Sequence, residues 1–567
     1  MKIISYFKDV LNELSPKANV ISLSKNIKGD IIAGITVGII ALPLALAFGE
    51  ISQLGPIAGV WGAIAGGIIG GLFGGCLVGV SGPTAPKAAQ IAAYMSLFVI
   101  GNTNNPDLVA AFSIIFLSGL ILVLISFARV SHFIHYTPYP VVAGFMCGIG
   151  VIVILTQLNA FVGLDVKKNI KDVIINLSDT INSANIEALY VSIPSLIILF
   201  LWPFFSKTIS VLRKIPAPLT ALVVGTSIAQ IFNLDIPYIG DKMTNESANE
   251  IFSIYIPDLS RFIEFIAPAF ALAGLAVLDS LLSCKVADNI TGERHSSDRE
   301  TFGQGMANMA AGLFGGVTTA TATMRTVANI KFGGKTPLAS IVHGLTLLAI
   351  LLGLGSLVAK IPAACLAAIL FKVGIEILDY RIMPLINKLP LKDLIIFCTV
   401  LFVTVYEDLM IAIAIGIIFA VLSSLKDLKS IFRERGNYQF LNIRNFDYEK
   451  GLELKSANDS LINVLSPSGP LFFGSVEKLI KSFNQIPSES NVIIDMRNIT
   501  NIDLTGVFGL EDLIKLSQNQ NRKVIITNMD ENIKRSFNDL RAIENIGLAN
   551  LCESTKEAVQ KINSNSF

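Results

Sequence analysis

Long apolar runs separated by short polar loops fill the first three-quarters of this chain. They fall near 31–49, 56–75, 83–100, 108–127, 138–162, 187–206 and 215–233. After a polar stretch they resume near 262–283, 301–316, 321–332, 336–358, 360–378, 391–406 and 408–425. A helix needs roughly 20 residues to cross a bilayer, so the weak runs at 83–100 and 321–332 predict broken or half-length helices. The pattern predicts a polytopic α-helical membrane protein of about fourteen spans in two sets of seven. Seven is odd, so the second set enters with opposite orientation, as an inverted repeat. Lys and Arg gather in alternate loops, at Arg129, Arg213 and Lys214, Lys285 and Arg294, Lys331 and Lys335, and Lys388 and Lys392. That places the N-terminus on the cytoplasmic side. The loop carrying Lys167, Lys168 and Lys171 breaks the rule.

After Lys426 the pattern changes. Short alternating stretches, FLNIRNF, SLINVLSP, NVIIDMR and RKVIITNM, alternate with SVEKLIKSFNQI, VFGLEDLIKLSQNQ and ENIKRSFNDLRAIENIG. Strands alternating with helices predict a small α/β domain with parallel pairing. The expected layout is a cytosolic segment 1–30, a membrane domain 31–426, a linker 427–439 and a cytosolic domain 440–567.

Composition agrees with the pattern. Of 567 residues, 52% are hydrophobic and 15% charged, against about 25% charged in soluble domains. Mean hydropathy is +0.63. A net charge of +1 gives no field for nucleic acid. The six cysteines show neither metal spacing nor a disulfide framework. No cleavable leader is expected, because the first long apolar run is itself a span. The absence of a nucleotide-binding loop argues against an ATP-driven pump. His132, His135, His295 and His343 lack ligand spacing and read as structural or loop residues.

Candidate chemistry concentrates between Leu278 and Arg325. Asp279 lies inside an apolar run, and five threonines crowd around Met324 in GGVTTATATMRT. An acid in a hydrophobic span is a functional-site hypothesis by default. Irregular backbone at membrane depth is tolerated only where it is buried or lines a cavity. The matching stretch of the first half is GVSGPTAPKAAQ, where Pro83 and Pro86 suit a helix start and Ser81 and Thr84 suit a cap. Two helix N-termini facing each other would hold an anion. Asp279 could coordinate Na⁺ with Ser283, Thr321 and Thr323, carry a proton, or pair with a base such as Lys87. Lys87 could snorkel to water or replace a cation beside Asp279. Arg325 could attract anions at the cytosolic vestibule or anchor a span end.

These residues carry a resemblance. GDIIAGITVGIIALPLALAFG followed by GVSGPTAP, together with the FGQGMANMAAGLFGG…ATATMRT…GGKTPLA series, is similar to the SulP anion permeases. VIIDMRNITNIDLTGVFGLEDL resembles the core of a STAS domain. Within the family the chain looks most like the BicA-type bicarbonate transporters. The resemblance implies a core domain sliding as an elevator against a gate domain, with a small inorganic anion between the third and tenth spans. It implies an anion site at Ser81, Gly82, Thr84, Lys87, Ala322 and Thr323. It implies a sodium site at Asp279, Ser283, Thr321 and Thr323, with Na⁺ as coupling ion. It also implies an integral membrane protein forming a homodimer, with a regulatory STAS domain at Asp503 and Thr505 open to a partner protein.

The chain departs from that pattern in four places. Thr321 stands where the BicA type is expected to carry Gly, Ser283 where Thr is usual, and Lys87 where an apolar residue is usual. Leu504 stands where phosphorylated STAS proteins carry Ser. The expected function is secondary anion transport without enzymatic chemistry, bicarbonate with Na⁺ foremost. Sulfate, another oxyanion or a dicarboxylate with H⁺ or by exchange is the alternative. A membrane anion sensor signalling through the STAS domain and a nucleobase permease are readings of other classes.

Overall fold

The computed structural model describes residues 13–95, 98, 107–129, 131, 138–164, 170–208, 215–242, 254–291, 293–378, 382–406, 415–416, 418–419, 439–442, 462–487, 490–519 and 522–563. Most of the last expected span at 408–425 and of the linker 427–439, together with His132, His135, Lys167 and Lys168, lies outside the described residues.

Helix α1 covers Lys17–Ser22 and α2 Ile27–Ile51. Asp30 sits in the first turn of α2. Its buried carboxylate accepts the Thr336 hydroxyl at 2.6 Å. Helix α3, Pro56–Phe73, contains a π-turn at Gly66–Gly70. Strand β1 is Ser81–Gly82, and the short helix α4 follows at Ala85–Met95. Next come α5 Leu108–Phe127, α6 Tyr139–Phe161, α7 Ile186–Thr208, α8 Ala217–Ile231, α9 Phe262–Thr291 and α10 Ser297–Leu313. The second half repeats the break with β2 Ala320–Thr321 and the short helix α11 Thr323–Lys331. Then α12 Pro337–Ala359, α13 Ala363–Ile377 and α14 Leu391–Tyr406 complete the membrane domain. Among the described residues six helices are long and apolar enough to cross a membrane, judged by length and composition.

The helices pack in two groups. In one, α5 packs on α10 and α9, and α2 on α12 and α3. In the other, α6 packs on α13 and α14, and α7 on α8 and α13. Small residues allow the close approaches: a Cβ at Gly59 would lie 1.8 Å from the Ala45 carbonyl oxygen, so α2 and α3 touch backbone to backbone. The half-helices α4 and α11 pack on α9 of the first group, and α4 also meets α6 of the second.

The C-terminal domain contains β3 Gln439–Asn442, β4 Ile462–Ser466, β5 Gly469–Leu471, α15 Phe473–Asn484, β6 Asn491–Asp495, β7 Ile499–Ile502 and α16 Leu504–Asn519. It ends with β8 Val524–Thr527, α17 Glu531–Asp539, α18 Ala542–Ile546, β9 Leu551–Cys552 and α19 Thr555–Asn563. The main sheet runs β3-β4-β6-β8-β9, parallel throughout except for the β3–β4 pair. Alternate strand residues serve opposite faces. Val492 and Ile494 pack with α15 and α16, whereas Ile493 and Ile525 pack with Ala558 and Ile562 of α19. The first of these cores continues into the membrane domain through Ala143, Leu385 and Phe397.

Candidate functional site

The two breaks meet. β1 and β2 pair antiparallel, Ser81 opposite Thr321 and Gly82 opposite Ala320, and the Ala322 N–H donates to the Val80 carbonyl at 3.0 Å. Backbone at this depth has no water to bond, so the pair satisfies itself. The π-turn of α3 fits closely behind it, since a Cβ on Gly66 would lie 2.9 Å from the Gly82 nitrogen. From this crossing α4 and α11 run apart, leaving their first-turn N–H groups without intrahelical partners and their positive dipole ends at the centre.

Each half-helix carries a base at its third residue, Lys87 on α4 and Arg325 on α11. Each base reaches across to the other break. The Lys87 ammonium donates to the Thr319 carbonyl ahead of β2. Arg325 Nη2 donates to the Pro83 carbonyl ahead of α4 at 2.8 Å. Both side chains are fully buried, so Lys87 does not snorkel and Arg325 neither sits in a vestibule nor anchors a span end. A Cβ on Gly82 would lie 1.8 Å from Arg325 Nη1, so only glycine leaves room for the guanidinium against β1. That Nη1 has no hydrogen-bond partner among the described residues.

Asp279 lies on α9 within electrostatic reach of both bases. Its Oδ2 accepts the Thr84 hydroxyl at 2.6 Å. One turn along, the Ser283 and Thr323 hydroxyls bond each other at 2.7 Å. Asp279, Ser283 and Thr323 form the polar wall of a cavity of about 70 Å³, and Val141, Phe145 and Met146 of α6 form the opposite, apolar wall.

Of the residues expected around sodium, three therefore meet at one cavity and the fourth does not. Thr321 gives its hydroxyl to Glu300 on α10. Gln304 Nε2 lies 2.7 Å from Ser81 Oγ and 2.9 Å from Thr321 Oγ1. Glu300 Oε2 accepts the Gly75 and Cys76 N–H groups, each at 2.9 Å. This buried network holds the β-crossing from behind. A hard cation needs converging oxygens, and the expected four do not converge. Of the expected anion residues, Ser81 belongs to the Glu300 network, Gly82 packs on Arg325, and Thr84 bonds Asp279. Ala322 caps α11 with its backbone, without a side-chain hydrogen bond.

Sequence reasoning passed over Glu300, Gln304 and the α6 wall. An acid near a helix start carries no unusual signal, and apolar residues in a span carry none. Two histidines are fixed: His295 Nδ1 lies 2.8 Å from Asp288 Oδ2, and His343 is buried. In the C-terminal domain Asp503 caps α16, its Oδ1 accepting the Gly506 N–H at 2.7 Å. Leu504 is fully buried. Thr505 faces the membrane domain, its hydroxyl oxygen 3.2 Å from the Tyr139 N–H.

Comparison with known proteins agrees with this architecture. Residues 27–400 match the model of the Sulfate permease family and residues 455–558 that of the STAS domain. The bicarbonate transporter BicA of Picosynechococcus sp. is 30% identical over 546 residues, covering 94% of each chain. The transmembrane domain of a cyanobacterium bicarbonate transporter BicA superposes with a TM-score of 0.61 at 33% identity, over 69% of this chain and 98% of that one. Murine Solute Carrier 26 family member A9, an anion transporter in the inward-facing state, shares the fold with a TM-score of 0.62 at 17% identity, over 98% of this chain and 95% of its own.

Proposed function

The chain belongs to the sulfate permease family, with a STAS domain after its membrane domain, and from that premise we propose that it imports bicarbonate. It is a membrane-spanning anion transporter and not an enzyme. The observation that carries the substrate is the charge around the cavity. Asp279 lines the cavity and lies within electrostatic reach of two buried bases behind its wall, Lys87 and Arg325. The two bases favour an anion there, and the carboxylates of Asp279 and Glu300 offset much of their charge, which favours a monovalent anion over sulfate. The cavity is small, about 70 Å³, which suits a compact anion. A relative 30% identical over most of its length is named a bicarbonate transporter, which supports the same choice.

The cavity lies on the seam between the two packing groups, with α6 on one side and α4, α9 and α11 on the other. Sliding of one group along the other is our reading of the transport step. Lys87 supplies the counter-charge for Asp279 that a sodium ion would otherwise bring, so transport proceeds without Na⁺. Sodium symport is the competing reading, supported by the oxygens of Asp279, Ser283 and Thr323 at one wall. We place the N-terminus and the STAS domain in the cytoplasm from the distribution of Lys and Arg.

Uptake of labelled bicarbonate and labelled sulfate into proteoliposomes, with and without a Na⁺ gradient, tests this. Saturable bicarbonate uptake indifferent to Na⁺ and lost in Asp279→Asn is expected. A strict need for Na⁺ restores symport, and sulfate uptake alone overturns the bicarbonate assignment.

A further inference from the structure

A cavity of about 380 Å³ lies on the flank of the membrane domain, between α3, α10 and α12. Only aliphatic and aromatic side chains line it, among them Trp61, Ile64 and Ile68 of α3, Ala310 of α10, Phe314 just after α10, and Leu352 of α12. The Trp61 and Phe314 rings stack there, with centroids 5.9 Å apart at 24°. Trp61 and Ile64 are buried, whereas Leu352 is 65% exposed. The cavity is therefore a groove with a deep floor and an open rim. Its volume falls in the ~300–1,000 Å³ range of ordinary ligand pockets.

The position of the groove says what covers it. Helix α3 is one of those long and apolar enough to cross a membrane. Leu345, two turns before Leu352 on the same face of α12, is 49% exposed. The rim is thus continuous with a leucine surface that faces the bilayer, where hydrocarbon is the solvent. No charged or hydrogen-bonding side chain lines the groove, so it offers nothing to an anion, a headgroup or a peptide backbone. Trp61 and Ile68 are seven residues apart, about 10 Å along the helix. The hydrocarbon of one leaflet is about 15 Å deep. A stretched acyl chain fits that length. It also restores the dispersion contacts that an empty wall forfeits.

We propose that this groove is a binding site for one acyl chain of a membrane lipid, held by packing alone and indifferent to the headgroup. Its three helices belong to the same packing group, so the chain travels with that group. On the neighbouring face of α3, a Cβ at Gly62 would lie 2.3 Å from the Val317 carbonyl oxygen, and one at Gly66 2.9 Å from the Gly82 nitrogen. The lipid chain therefore fills the flank of the helix that backs the β-crossing. The site does not depend on which anion is carried, or how.

The protein has two tryptophans, Trp61 and Trp202. Trp202 lies on α7, in the other packing group, so Trp202→Phe leaves Trp61 as the sole indole. The full chain carrying that substitution is reconstituted into phosphatidylcholine vesicles with ordinary or brominated acyl chains, since bromine quenches indole emission at close range. Loss of most of the Trp61 emission in the brominated vesicles is expected, and the same loss with brominated phosphatidylglycerol. Adding Ala310→Leu, which fills the groove, is expected to restore most of the emission; Leu348→Phe is the second filling variant should the first not fold. Full emission in brominated vesicles overturns the proposal, and a cross-link between copies through Leu352→Cys would then give the groove to a second copy of the chain. Equal quenching with the groove filled also overturns it, because the bromine then lies in boundary lipid outside. Quenching by only one of the two lipids overturns recognition by the acyl chain alone. None of these readouts requires transport, so they stand apart from the outcome of the uptake assay.

Discussion

Lys87 and Arg325 are counterparts, each at the third position of its half-helix and each bonded to the other strand's approach. Replacing Lys87 by Met leaves Asp279 facing one base, so the anion meets a less positive site. A charge-assisted contact is worth ~1.5–3 kcal/mol. The apparent affinity for bicarbonate should fall tenfold or more by that estimate, and uptake should become responsive to added Na⁺; titrating both ions in one uptake assay checks this. Gly82→Ala should abolish uptake by a different route, because its Cβ occupies the place of Arg325 Nη1. Rescue by the double variant with Arg325→Lys, whose head is smaller, would support that cause, and wild-type uptake in Gly82→Ala would exclude it. At this scale the sequence was informative where chemistry was out of place. Asp279 and Lys87 stand out in apolar runs. Arg325 reads as a vestibule or anchoring residue, because an Arg near a span end resembles both. Thr321 stands apart from the cavity for a geometric reason: the strand ends there and the helix begins at Thr323, so their hydroxyls turn to different neighbours.

The half-helices hold their places because of what lies behind them. Two two-residue strands give little cohesion alone, and the Glu300–Gln304 network ties β1 and β2 to α10 and to the loop at Gly75. Glu300→Ala leaves the Gly75 and Cys76 N–H groups without that acceptor. A buried unsatisfied group costs ~1–3 kcal/mol, so a fall of several degrees in the unfolding midpoint in detergent is expected, with Thr321→Val milder. Equal midpoints would show that the crossing does not depend on Glu300. The broken helices were legible as weak apolar runs, since a deficit of length is visible in sequence. Strands of two residues are too short to show a period, so β1 and β2 were not. The same holds in the STAS domain. The four expected strands formed, while Gly469–Leu471, Ile499–Ile502 and Leu551–Cys552 went unread. The helix expected over 531–547 splits after Asp539, where Arg541 takes a positive φ of 53°.

At the scale of the whole molecule the decisive quantity is the charge moved per cycle. If Lys87 supplies the counter-charge, it stays with the protein and each bicarbonate crosses alone. The cycle then carries one negative charge, whatever fixed charges travel out and back with the moving helices. If Na⁺ travels with the anion in equal number, the cycle carries none. Moving one charge against 100 mV is worth ~2.3 kcal/mol, a limiting concentration ratio of about fiftyfold. Labelled bicarbonate should therefore accumulate in proteoliposomes held positive inside by a potassium diffusion potential, and should be excluded when the potential is reversed. Accumulation that ignores the potential and follows a Na⁺ gradient would return the counter-charge to sodium. Accumulation that ignores both and needs an anion on the far side would mean exchange. The Lys87→Met variant separates these cases within one protein, because a site stripped of its own cation should exchange dependence on voltage for dependence on Na⁺.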